Sequence, residues 1–135
     1  MLNTPIKKTE ITQLHDIKFM VDRFYAAVRK DDLLGPIFEE RIGNRWPEHL
    51  EKMYRFWQTI LFEEHTYHGS PFSPHATMPI GKEHFNQWYA LFAKTVDTYF
   101  EGTKAEEAKW RAERMAALFN AKINLSKDGG SIMGR

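Results

Sequence analysis

The chain has no cysteine among its 135 residues. That excludes disulfides, thiolate metal ligands and haem attached covalently through Cys-x-x-Cys-His, so any metal must be held by histidine or carboxylate. Nowhere do eighteen apolar residues run together, and Met1 to Lys8 lack the apolar stretch of a secretory signal. A soluble, cytoplasmic protein with no membrane partner is therefore expected. Clustered positive charge is also missing. Formal net charge is +1, and phosphate recognition needs concentrated Lys and Arg, so nucleic acid is not the expected partner. No P-loop, dinucleotide-binding glycine pattern, His-Glu-x-x-His or serine-nucleophile elbow occurs, which removes the common signatures of nucleotide, zinc-protease and serine-hydrolase chemistry.

What is present is aromatic and helical. Ten Phe, five Tyr and four Trp supply large flat groups for a core or for a planar ligand. A chain of this length buries one core, not two. Thr9 and Thr12 are candidate caps for a helix running to about Lys30, with Ile11, Leu14, Ile17, Val21, Tyr25 and Val28 along one stripe. Tyr25 lies inside that stripe, where its hydroxyl must find a partner or cost the free energy of an unpaired polar group. Gly35-Pro36 is expected to stop this helix, and Ile37 and Phe38 to form a short helical turn.

A second strong stripe begins at Trp46, with Pro47 in the first turn where a missing amide donor costs nothing. At about 100° per residue, Trp46, Met53, Trp57 and Ile60 fall within roughly 20° to 80° of His49, and Phe56 at about −20°. One histidine is thus set among large apolar groups. Lys52 falls at the margin, where it can lay its stem along the pocket and offer its ammonium to an anion. From Glu63 to Gly81 the helical period is lost, and an irregular segment of that length inside a compact domain tends to carry function. His65-x-x-His68 with His75 has the makings of a three-histidine zinc set, although only Glu63 and Glu64 stand near to support it. Helical patterning resumes from Lys82 to about Phe100, with Phe85, Trp88, Phe92, Thr95, Val96 and Tyr99 on one face. A last helix is expected from Lys104 to about Ser126. Residues 1–10 read as an N-terminal extension, 11–125 as the domain, and 126–135 as a flexible tail.

Five pieces of this chain, in this order, resemble the group III (P-type) truncated haemoglobins. They are Phe24-Tyr25, Leu34-Gly35-Pro36-Ile37-Phe38, His49 with Phe56-Trp57, Tyr67-x-Gly69-x-Pro71-Phe72-x-x-His75, and His84-Phe85-x-x-Trp88-x-x-Leu91-Phe92. The paired-glycine motifs of other truncated haemoglobins are missing, as group III requires. Tyr89 stands where the pattern usually has Leu, and Met53 where a branched aliphatic is common.

The resemblance implies an all-α truncated globin, a two-over-two helical sandwich around non-covalent haem b, with His75 as proximal iron ligand. Tyr25, His49 and Trp88 take the distal positions, Met53 and Phe56 line the rest of the pocket, and Phe72 lies against the proximal face. Lys52, Tyr67 and His68 are the candidates for the propionates. The implied function is high-affinity binding of dioxygen, nitric oxide or other diatomic ligands, suited to oxygen or nitric oxide chemistry more than to bulk oxygen transport. A nitric oxide dioxygenase or peroxidase-type enzyme, supplied with electrons by a separate reductase, is the alternative. A haem-free helical interaction module, in which every histidine is structural, is the reading from another class.

Overall fold

The computed structural model describes residues 7–69 and 80–133, with side chains described as far as 125. It contains five helices and, among the described residues, no strand: α1 (Leu14–Lys30), α2 (Gly35–Ile42), α3 (Trp46–Phe62), α4 (Lys82–Tyr99) and α5 (Thr103–Met133). Helix α1 packs on α3 and on α4, α4 packs on α5, and α3 meets α5 only lightly. This is the all-α, two-over-two arrangement expected, with α1 and α3 laid over α4 and α5.

Helix α1 forms because Ile17, Met20, Val21, Phe24, Tyr25 and Val28 recur at helical spacing and are all buried. Its start differs from expectation. The N-cap is Gln13, and Asp16 reaches back to accept from the backbone N–H groups of Thr12 (3.0 Å) and Gln13 (3.2 Å). Thr9 is not a cap. It pairs with the α4–α5 corner instead, donating N–H to Tyr99 O (3.2 Å) and accepting from Glu101 N (3.0 Å), which ties the chain before α1 to the far side of the sandwich.

The stop at Gly35-Pro36 is a start: α1 ends at Lys30, and Gly35 and Pro36 open α2. Asp31 makes the junction, its carboxylate accepting from Leu34 N (2.9 Å), Leu33 N (3.1 Å) and Gln87 Nε2 (2.6 Å). Gly35 is required by close approach, because a Cβ there would lie 2.8 Å from Arg29 O. Helix α3 ends at Glu63 in the left-handed region (φ 58°), a conformation that costs a non-glycine residue roughly 1–2 kcal/mol. At the other end of the chain α5 runs through Gly129 and Gly130 to Met133, where a flexible tail was expected from 126. Each glycine lowers helix stability by only about 1 kcal/mol relative to alanine, which does not by itself stop an established ladder.

The core is in two parts. The larger gathers α1, α3 and the C-terminal half of α4 around Phe24, Trp57 and Phe92. The smaller joins the start of α4 to α5 through Ile80, Phe85, Ala116, Phe119 and Ile123. Trp88 and Met115 touch both, and the space between the two parts is where the site lies.

Candidate functional site

Because α3 meets α5 only lightly, a cavity of about 580 Å³ remains, lined by residues from all five helices. At about 24 cal/mol per Å³, a dry void of that size would cost roughly 14 kcal/mol, as much as a whole domain's stability. A space of this volume, within the range of small-molecule and cofactor pockets, is built to be filled. Tyr25, Leu34, Phe38, Met53, Phe56, Trp57 and Trp88 form one side, and Ile80, Phe85, Met115, Ala116 and Phe119 the other.

Tyr25 is 6% exposed, and among the described residues no hydrogen bond reaches its hydroxyl. Burial alone pushes its pKa up from the ordinary phenol value, so the hydroxyl stays a protonated donor at neutral and mildly alkaline pH. Its ring is fixed by Phe24 (centroids 4.8 Å), His49 (5.0 Å, 85°) and Trp46 (5.7 Å). Trp88 is set by stacking. Its indole lies parallel to Phe92 (5.9 Å, 8°), which lies nearly parallel to Trp57 (4.9 Å, 16°), while Phe24 meets Trp88 edge-on (5.4 Å, 90°). Trp88 and Phe92 are four apart on α4, so the helical repeat itself presents them side by side. Indole N–H can only donate. Tyr25 and Trp88, two potential donors on packed rings, thus line the same cavity as His49.

The rim is polar. Arg41, Arg45, Glu48, Lys52 and His68 all line the cavity and are exposed, three permanent cations against one carboxylate. Arg45 turns back to donate to Ile42 O (3.3 Å) and Arg41 O (2.5 Å). Tyr67 enters from the connection after α3, held by a local network. Thr66 N and Tyr67 N both donate to Thr59 Oγ1 (3.1 and 3.0 Å), and Thr66 Oγ1 donates to the buried Gln58 (3.0 Å). This sets the Tyr67 ring edge-on to Phe56 at 5.3 Å.

A family model described as "Bacterial-like globin" matches residues 10–122. The chain is 33% identical over 116 residues to the group 3 truncated hemoglobin of Campylobacter jejuni, covering 83% of this chain and 91% of that protein. The crystal structure of the group III truncated hemoglobin from the same organism superimposes with a TM-score of 0.79 at 31% identity, covering 87% of this chain and 95% of that one. The chain belongs to the group III truncated haemoglobins.

Globins hold haem iron and bind small ligands at it, and the residues of this truncated haemoglobin suit that group. The walls are apolar and rich in aromatics, the buried hydroxyl of Tyr25 makes no hydrogen bond among the described residues, and the rim is cationic. An apolar body with anionic ends is what such a lining accepts. The structure brings together Tyr25, His49, Met53, Phe56 and Trp88 on one cavity, and places Lys52, Tyr67 and His68 on its lining as well. His75 and Phe72 lie outside the described residues, so the proximal assignment rests on the resemblance. His65 is exposed and off the cavity, and among the described residues no cluster of three metal-binding side chains occurs.

Several lining residues of this truncated haemoglobin were not anticipated: Arg41 and Arg45, Glu48, His84, and the α5 face of Met115, Ala116 and Phe119. Arg41 lies on the last turn of α2, beyond the short turn expected there, and Arg45 is the N-cap of α3. His84 appeared only as part of a motif, yet its Nδ1 accepts from Gly81 N (2.9 Å) and so caps α4. A histidine three residues after a glycine at a helix start was the available signal. On α5, Met115 and Phe119 have the spacing of ordinary core residues, and periodicity cannot tell a face turned to a neighbouring helix from one turned to a cavity.

Proposed function

We propose that this protein binds dioxygen, nitric oxide or a related diatomic ligand on non-covalent haem b, in the cytoplasm, with slow release. The observation that carries the reading is the Tyr25 hydroxyl, buried in the cavity beside Trp88 and His49 with no hydrogen bond of its own among the described residues. Haem iron, when bound, supplies the electron density that polarises a diatomic ligand. The chain's own residues do the rest. His75 would hold the iron, an assignment supported by the motif Tyr67-x-Gly69-x-Pro71-Phe72-x-x-His75, and the same resemblance would assign Phe72 to the haem's proximal face. Tyr25 and Trp88 donate hydrogen bonds to the polarised ligand, each charge-assisted bond contributing about 1.5–3 kcal/mol, or roughly ten- to hundredfold in affinity. Met53 and Phe56 exclude water. Arg41, Arg45 and Lys52 on the rim suit the propionates, with Tyr67 and His68 on the same lining.

Slow release opposes bulk oxygen transport, because a carrier must let go of what it carries. The same donors favour a second reading, a nitric oxide dioxygenase or peroxidase-type activity, in which Tyr25 and Trp88 stabilise developing negative charge and His49 moves protons. That activity draws on a separate reductase. Absorption spectra of the purified protein in ferric, ferrous and carbon monoxide forms, beside those of His75→Ala, test the binding reading. A Soret band that weakens and shifts in the variant is expected. A protein that takes up no hemin, or a variant with unchanged axial ligation, would overturn it. Turnover with a reductant separates the second reading from simple binding.

A further inference from the structure

We infer that Trp46, tied down by Glu39 and Arg29, is a positioning residue for the ligand pocket: it backs His49 against Tyr25 and so limits how freely a bound diatomic ligand departs. This rests on the haem reading above.

Trp46 is the first residue of α3 and is 5% exposed. Its indole is held along an edge and over a face. Nε1–H donates to Glu39 Oε1 at 2.7 Å, the same oxygen accepts from Arg29 Nε at 3.0 Å, and the Arg29 guanidinium sits 4.5 Å above the indole ring. One residue comes from each of α1, α2 and α3, so the clamp joins three helices at one corner. As an ion pair between two half-exposed side chains (45% and 47%), Arg29 and Glu39 contribute little. Their effect is geometric: edge and face together define the plane of the indole.

Trp46 does not line the cavity itself but packs against Tyr25 and His49, which do. Trp46 and His49 are perpendicular with centroids 5.6 Å apart, Trp46 and Tyr25 are 5.7 Å apart, and Tyr25 and His49 close the triangle at 5.0 Å. A helical side chain leans over the turn on its N-terminal side, and for His49 that turn begins at Trp46. The imidazole is therefore enclosed between a tethered indole and a buried phenol ring. Rotation of the imidazole toward Trp46 is opposed by that ring, and the Glu39 hydrogen bond opposes movement of the indole. Arginine and glutamate on the surface thus act on the buried site through two intervening rings.

Three variants test this: Trp46→Phe keeps a ring but loses the tether, Glu39→Ala removes the acceptor, and Glu39→Gln keeps a carbonyl acceptor. In the ferrous carbon monoxide form, the C–O stretching band reports polar contacts to the ligand. Trp46→Phe and Glu39→Ala are expected to show a second band at the frequency of His49→Ala, with oxygen dissociation roughly three- to tenfold faster, the equivalent of one net hydrogen bond. Glu39→Gln is expected to retain most of the parent behaviour. A single parental band with unchanged dissociation in both tether-breaking variants would overturn the inference, as would an equal shift when His49 is already Ala. Glu39→Ala leaves the indole in the core, so it carries the test if Trp46→Phe fails to fold. Should the parent protein bind no haem, the haem reading fails alone. The clamp is then read from the His49 imidazole resonances of the haem-free protein, which are expected to broaden or split in Glu39→Ala, and unchanged resonances would overturn it.

Discussion

Replacing Tyr25 by Phe removes one oxygen and leaves the ring, and the structure assigns different consequences to the two states of the protein. With a diatomic ligand bound, the lost hydroxyl is a charge-assisted donor of about 1.5–3 kcal/mol, so dissociation accelerates roughly ten- to hundredfold. Without ligand, Tyr25 is a buried residue (6% exposed) whose hydroxyl meets no hydrogen-bond partner among the described residues. The hydroxyl is not among the sealed side-chain atoms left without a partner, so water in the cavity replaces most of the about 1–3 kcal/mol that an unsatisfied buried polar group costs. The haem-free Phe variant is therefore expected to melt close to the parent. Its ring contacts with Phe24, His49 and Trp46 do not depend on the oxygen. Stopped-flow displacement of oxygen by carbon monoxide measures the first effect, and urea melts of the haem-free protein the second. A variant that loses about 2 kcal/mol of stability would show that the hydroxyl has a protein partner. Unchanged dissociation would refute its role toward the ligand.

Other perturbations follow from the same geometry. Trp88→Phe keeps the stack on Phe92 (5.9 Å) but removes the indole donor, so oxygen dissociation is expected to rise by up to roughly tenfold. Combined with Tyr25→Phe the effects are expected to be non-additive if both donors serve one ligand, which the same stopped-flow series measures. Gly35→Ala places a Cβ 2.8 Å from Arg29 O, a backbone atom. The clash outweighs alanine's helix preference, and a net loss of about 1–3 kcal/mol is expected by urea denaturation. At Asp31 burial raises the carboxyl pKa, but hydrogen bonds from Leu34 N, Gln87 and Leu33 N outweigh it and hold the pKa below the usual carboxylate value. A depressed folded-state pKa stabilises above the unfolded value of about 4 and is lost as pH falls toward the folded value. The stability gap between the parent and Asp31→Asn is therefore expected to be constant from neutral pH to about 5 and to shrink below about 4. A gap that widens on acidification would contradict the assignment.

Helix identity was legible because the apolar period is strong. Ile17, Val21, Tyr25 and Val28 on α1, Trp46, Phe56 and Trp57 on α3, and Phe85, Phe92, Thr95 and Val96 on α4 are buried as their stripes predict. Leu14, His49, Met53, Ile60, Trp88 and Tyr99 are half-buried. Boundaries were less so. Thr9 has a cap's chemistry, but a parallel pairing with Phe100 claims its backbone, and no local pattern announces a partner ninety residues away. Gly35-Pro36 reads equally as the end of one helix or the opening of the next. The choice fell to the close approach of Gly35 to Arg29, which only Gly permits. Arg41 reaches the lining only because α2 extends to Ile42, beyond the short turn its sequence suggests, and Glu39 has no connection to the pocket that the sequence shows.

By itself the sequence determined the family, the all-α class and the shortlist of donors, because periodicity and motif order are properties of the chain alone. Where those donors point was decided by tertiary structure. The stripe that buries Tyr25 is the same whether its hydroxyl meets a carbonyl or open space. Only the separation of α3 from α5, held by two partial cores that Trp88 and Met115 join, leaves a cavity in front of it. The physical reason is that burial is read from one helix at a time, whereas a cavity exists only between helices.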